Sequence, residues 1–264
     1  MLTRRFGRTP FFGLLYVQVR ICLVGITLVA AMLHPTRGAE PLKSPNGRIE
    51  VSIEMPRKNS GKSPRWSARF AGKAVLADCE LGLQAADGGD FLKGAAVTQE
   101  KRRSVNQEVQ VLFGKSDRAR DHFNEIRFTL ETAKQRHIDV VFRCYNDAVA
   151  LRYEVTDKEP GSTITITDET TSFHLVGNPT AYAQYLENYK TSHEHNVTTV
   201  PYNDLPTGTL LDMPLTLAWE KGPCMAITEA ALRHYAGMAL MRSSNALSAV
   251  LVCKLTPRAD GTKV

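Results

Sequence analysis

The densest chemistry in the sequence sits in three consecutive residues, His193-Glu194-His195. In extended chain the two imidazoles share one side and the carboxylate points to the other. A two-His site suits zinc, whereas a lone carboxylate with loop carbonyls suits calcium. The same triplet also reads as a solvated polar loop, because a metal needs more ligands than three residues show. Beside it, Tyr182, Tyr185, Tyr189 and Tyr202 make up half of the chain's 8 Tyr. Aromatic rings stack on the apolar faces of sugars, and phenolic hydroxyls bond sugar hydroxyls. Four such rings serve equally as anchors that pin a loop to its own core.

Other catalytic signatures are missing from the text of the sequence. There is no Gly-rich phosphate loop and no G-x-S-x-G elbow. A glycosidase needs two carboxyl groups roughly 5 to 9.5 Å apart, and the scattered acids here single out no such pair by spacing. His122, His137, His174 and His234 stand alone and read as structural or surface residues. Asn196-Val197-Thr198 fits a glycosylation acceptor, which matters only in a eukaryotic secretory pathway.

Composition narrows the classes. The chain has 264 residues, 43% of them hydrophobic and 23% charged, which excludes a disordered, collagen-like or multi-span membrane protein. Its net charge of +6 is not spread along its length. Arg4, Arg5, Arg8, Arg20 and Arg37 fall in residues 1–39, which hold no acid, so the body from residue 40 is close to neutral. It therefore has no electrostatic footprint for nucleic acid. Residues 21–33 run without a charge, too short a stretch to anchor when about 20 apolar residues are needed to span. An Arg-rich start, a short apolar core and Ala39 predict a signal peptide over 1–39 and an exported, periplasmic or extracellular product with no stable membrane anchor. After cleavage Cys79, Cys144, Cys224 and Cys253 remain, and sequence alone cannot choose among their pairings. Cys144 and Cys253 lie in apolar runs and read as small buried hydrophobes.

The elements that must position these residues read as strands. Alternation with a period of two marks residues 49–53, 66–70, 124–130, 138–145 and 163–167, and 246–255 is a longer apolar candidate. Asn146-Asp147 and Ala71-Gly72 sit between such runs and predict two-residue hairpin turns, the former with positive φ at both positions. Residues 178–214 are polar and poor in strand pattern, which predicts a long irregular excursion of functional interest. The pattern predicts an all-β sandwich or barrel of antiparallel strands.

Residues 44–255 resemble a known family. The blocks are SPNGRIEVSIE (44–54), ELGLQAADGGDF (80–91), DHFNEIRFTL (121–130), IDVVFRCYNDAVALRYEV (138–155), TITDETTSFHL (165–175), TSHEHNVTTVPYNDL (191–205), MPLTL (213–217) and ITEAALRHYAGMAL (227–240). In this order they resemble the N-terminal domain of glycoside hydrolase family 97, secreted bacterial α-glucosidases and α-galactosidases. The resemblance implies a β-super-sandwich similar to galactose mutarotase-like domains, packed on a (β/α)8 barrel that carries the catalytic carboxylates. A barrel takes about 250 residues, so over 40–264 the expectation is the sandwich alone, with no catalytic residue and the barrel missing or separately encoded. In the family a Glu after a Tyr reaches the active-site calcium. Ser192-His193-Glu194 falls at that place with His193 for the Tyr, which implies Glu194 as one calcium ligand, functional only with the barrel.

The expected function is thus a non-catalytic scaffold of a calcium-dependent α-glycosidase, with Tyr185, Tyr189 and His193 beside α-linked sugar. The alternatives are a standalone carbohydrate-binding module and a mutarotase-like enzyme using His174 or His193 with Glu194. Glu229 is a second acidic candidate, read as a structural residue at a strand end.

Overall fold

The computed structural model describes residues 40–258 apart from 88, 113, 133–135, 157–163, 234 and 244–249. The leader expectation therefore lies outside the described residues, as do Thr163, His234 and residues 246–249.

Four strands open the body: β1 (Leu42–Lys43), β2 (Ile49–Glu54), β3 (Arg65–Phe70) and β4 (Lys73–Glu80), paired in that order as an antiparallel sheet. Alternation does what it predicts here, because Ile49, Val51 and Ile53 point inward while their neighbours face out. The Ala71-Gly72 turn between β3 and β4 has φ of 46° and 80°, the mirror-image geometry that matches strand twist. Next come β5 (Leu83–Ala85), β6 (Gly89–Asp90), β7 (Ala96–Gln110), β8 (Arg118–Glu131), β9 (His137–Tyr145) and β10 (Val149–Thr156). The last four form a second sheet in the order β10-β9-β8-β7. The β9–β10 turn lies at Asn146-Asp147, as the sequence predicts, and Tyr145 N–H donates to the Ala148 carbonyl at 2.8 Å. Neither central residue has positive φ, so the turn is not the mirror-image type expected. Asn146 Oδ1 instead accepts from the Asn46 N–H of the β1–β2 loop, which fixes the turn from outside.

These two sheets pack face to face. Val51, Ile53, Trp66 and Ala68 share one core with Ile126, Phe128, Val140 and Phe142, and the Trp66 and Phe142 rings lie 5.6 Å apart. Burying such large apolar side chains is worth about 1.5–3 kcal/mol each. β7 is exposed along its length and is the strand the alternation rule does not reveal. It is held by pairing with β8 and by charge on the outer face, where Glu125 takes Arg103 and Arg143.

The remaining strands are β11 (Ile166–Glu169), β12 (Ser172–His174), β13 (Thr180–Ala183), β14 (Tyr185–Leu186), β15 (Thr198–Pro201), β16 (Leu210–Leu211), β17 (Leu215–Ala218), β18 (Cys224–Ile227), β19 (Met238–Arg242) and β20 (Val250–Leu255). β11 returns to β5, while the others form two sheets ordered β12-β20-β19-β16-β14 and β15-β13-β17-β18. A second core lies between them, with Ala181, Ala183, Leu215 and Leu217 against Leu211, Leu240, Leu251 and Cys253. The fold is all-β with antiparallel strands, of the sandwich kind the sequence predicts. No α-helix occurs among the described residues, and none is long and apolar enough to cross a membrane.

Residues 178–214 differ from the expectation of an irregular excursion. They supply β13 to β16 and a 3-10 turn at Tyr202–Asp204, and 187–197 is the longest stretch without strand structure. The strands are two to four residues long and bury Ala181 and Ala183, side chains too small to register as an apolar alternation.

Cys79, Cys144 and Cys253 are buried free thiols and Cys224 is an exposed one. Cys144 and Cys253 are thus the packed hydrophobes that the sequence predicts.

Candidate functional site

Three strands bring the chemistry of residues 184–212 together. β14 pairs with β16 so that Tyr185 lies opposite Leu211, which sets Gln184 beside Asp212. Asp212 N–H donates to the Gln184 carbonyl at 2.9 Å, and Gln184 Nε2 donates back to Asp212 Oδ2 at 3.1 Å. The loop between β14 and β15 then folds over this pair. His193 Nδ1 donates to the same Asp212 oxygen at 2.8 Å, since a carboxylate only accepts, and Gln184 Nε2 reaches the His193 carbonyl at 2.5 Å. The Asp212 side chain is 16% exposed, so these bonds are shielded from much of the solvent that would compete for them.

The clamp leaves Glu194 outside. Its N–H is held by Ser192 Oγ at 3.1 Å, but the residue is exposed and its carboxylate pairs with no group among the described residues. His195 Nε2 lies 3.4 Å from Thr191 Oγ1. A shallow depression of about 320 Å³ adjoins the loop, lined by Tyr185, Leu186, Glu187, His195, Asn196 and Thr209.

The four tyrosines do not converge. Tyr185 lines the depression, whereas Tyr189 is half-buried against a small cluster of Leu186, Leu210 and Ala239, where burial pushes its hydroxyl up. Tyr182 is exposed on β13. Tyr202 is 1% exposed, its hydroxyl raised by burial, and it is a core anchor under Arg242. His174 lies on β12, half-buried, with burial lowering its affinity for a proton. Glu229 follows the end of β18, and burial raises its carboxyl.

Calcium takes roughly six to eight oxygens. Among the described residues no three His, Cys, Asp or Glu side chains converge on one point. The described residues thus present no complete calcium site, and Glu194 stands apart as one exposed carboxylate.

Two groups escape the sequence reading. Asp212 and Gln184 are ordinary residues at no telling spacing, and only the β14–β16 pairing sets them against His193. A buried polar cluster is the other. Glu169 on β11 is 8% exposed, accepts from the Tyr235 hydroxyl at 2.8 Å, and has its carboxyl raised by burial. Tyr153 and Thr171 share a hydrogen bond of 2.7 Å beside it.

Comparison with known proteins agrees with the fold and the block order. The profile of the family described as Glycosyl-hydrolase 97 N-terminal matches residues 42–258. A retaining alpha-galactosidase of Bacteroides thetaiotaomicron is 25% identical over 214 residues, covering 78% of this chain and 30% of its own length. A probable retaining alpha-galactosidase of Streptomyces bingchenggensis is 31% identical over 138 residues, 52% of this chain and 20% of its own. Among solved structures, a glycoside hydrolase family 97 enzyme from Pseudoalteromonas sp. strain K8, in complex with acarbose, superposes with a TM-score of 0.71 at 27% identity, covering 84% of this chain and 32% of that one. The matched part of the chain thus spans between a fifth and a third of the length of these relatives. With its two-sandwich architecture and a family match running from β1 past β20, the chain belongs to the N-terminal domain family of glycoside hydrolase 97.

Proposed function

We propose that this chain is the non-catalytic scaffold of a calcium-dependent α-glycosidase of α-glucosidase or α-galactosidase type. It lends Glu194 as one calcium ligand and sets Tyr185, Tyr189 and His193 at the edge of the sugar site. The catalytic carboxylates belong to a (β/α)8 barrel, encoded with this domain or separately. The supporting observation is the exposed Glu194 carboxylate, unpaired among the described residues, on a loop fastened at the preceding residue by Asp212. A free carboxylate on a braced loop suits a ligand offered across an interface, because no internal partner has to be displaced. The leader chemistry of residues 1–39 further supports export before the domain acts.

The test is a hybrid in which this domain replaces the corresponding part of the Pseudoalteromonas enzyme. Calcium-dependent hydrolysis of an α-glucoside by the hybrid, lost in Glu194→Gln, is the expected result. Robust hydrolysis by the purified chain alone would refute the scaffold reading. N-terminal sequencing of the exported product checks the leader, and an intact Met1 would remove it.

A second reading, a carbohydrate-binding module, draws on the depression at Tyr185, His195 and Asn196. Calorimetry with maltose and melibiose decides it. Heat that is unchanged by Tyr185→Ala counts against it.

A further inference from the structure

An open cleft of about 370 Å³ lies where the two sandwiches meet, lined by Lys73 and Val75 of β4, Asn178 after β12, and Trp219, Glu220 and Lys221 of the β17–β18 turn. Its floor is joined across the two halves by the Val176 N–H donating to the Val75 carbonyl at 3.0 Å. Trp219 is half-buried, packs against both cores, and is pinned by its indole N–H donating to the Val176 carbonyl at 2.8 Å. One glycine makes room for Trp219, and a second turns the chain beside it. A Cβ on Gly222 would come within 2.6 Å of Trp219 Cβ, and Gly177 adopts φ of +82° beside the indole nitrogen. The ring is therefore fixed before any ligand arrives, which removes an ordering cost from binding.

The rim is polar and of mixed sign. Lys73 Nζ donates to the Lys221 carbonyl at 3.0 Å, which holds its ammonium at the mouth with further donors to give. Glu220 and Lys221 are exposed, and Asn178 Oδ1 accepts from the Asn203 N–H, leaving its amide N–H₂ as a donor. We propose that this Trp219 cleft is a binding site for a neutral pyranose, such as one hexose unit of an oligosaccharide. The volume lies within the range of small-molecule sites, and junctions between packed units are where such sites concentrate. A fixed aromatic ring offers a stacking surface for sugar C–H faces, and carboxylate, ammonium and amide groups match hydroxyls as both donors and acceptors. Opposite charges on one rim give no strong single-sign field, which favours a neutral ligand over an anion. The site shares no residue with the Glu194 loop and stands whether or not Glu194 binds calcium.

Trp219 and Trp66 are the chain's 2 Trp, and Trp66 is 5% exposed, so quenchable fluorescence reports Trp219. The experiment titrates methyl α-glucoside, methyl α-galactoside and maltose into the full chain, with inorganic phosphate and glucuronate as charged comparators. The expected result is a saturable change at millimolar sugar with protection from acrylamide, weakened about tenfold by Lys73→Ala or Glu220→Gln and unaltered by Glu194→Ala. Both rim residues are exposed, so the folded spectrum should persist in each variant. No saturable change, a change that survives both rim substitutions, or tighter binding of phosphate than of any neutral sugar would overturn the proposal.

Discussion

Asp212 Oδ2 lies 2.8 Å from His193 Nδ1, across 19 residues of chain. The contact makes a carboxylate at the end of β16 responsible for the course of the loop that carries Glu194. Asp212→Ala removes the shared acceptor of His193 and Gln184. The expected cost is about 1 kcal/mol in global stability, with amide exchange at 192–196 accelerated roughly tenfold while β13 and β17 stay protected. Unchanged exchange at those amides would mean that the clamp does not order the loop.

Glu194 itself should contribute nothing to folding. Its carboxylate is exposed and unpaired among the described residues, so Glu194→Gln should shift unfolding by less than about 0.5 kcal/mol. A large loss in urea titration would reveal a structural role and weaken the ligand reading.

Glu125 behaves in the opposite way. Its side chain is 4% exposed and the guanidinium of Arg103, helped by Arg143, holds its carboxyl down to about 2. A folded pKa below the unfolded one stabilises at pH above the unfolded value, and that stabilisation is lost as pH falls through the folded value. Arg103 is half exposed and solvent screens the pair, so Glu125→Gln should cost about 2 kcal/mol near neutrality. The gap from the parent should close between about pH 4.5 and pH 2. A gap constant across that range would show that packing, not charge, supplies the effect.

Glu169 carries the reverse sign. Burial raises its carboxyl, so its contribution is complete below the unfolded value and fades as pH rises through the folded one. Glu169→Gln should gain on the parent as the buffer is taken from acidic to neutral. Chemical denaturation at the two pH values measures it, and a parent that gains instead contradicts the assignment.

The thiols give a further check on the packing. Cys224 is exposed, whereas burial pushes Cys79 up to about 11 and Cys144 up to about 12. A thiol reagent at neutral pH should label Cys224 in the folded body and reach Cys79, Cys144 and Cys253 only on unfolding, as peptide mapping will show.

Much of this protein is legible along the chain because a strand with one buried face must alternate. Ile49, Val51 and Ile53 announce β2, and the glycine after Ala71 announces its neighbouring turn, from local chemistry alone. The order of blocks identifies the family in the same linear way, and it singles out Glu194 as a candidate by its place within that order. Tertiary structure decides what depends on partners distant in sequence. β7 has no apolar period, since its pairing with β8 and the ion pairs at Glu125 hold it in place of burial. The strands of residues 178–214 are too short to show a period and exist through the sheets they join. Asp212 acquires meaning only when β14 and β16 pair, and Trp219 only when β4 and the β17–β18 turn meet around it. A carboxylate or an indole has the same chemistry anywhere in a sequence, but its role is set by which neighbours the fold brings within hydrogen-bonding reach.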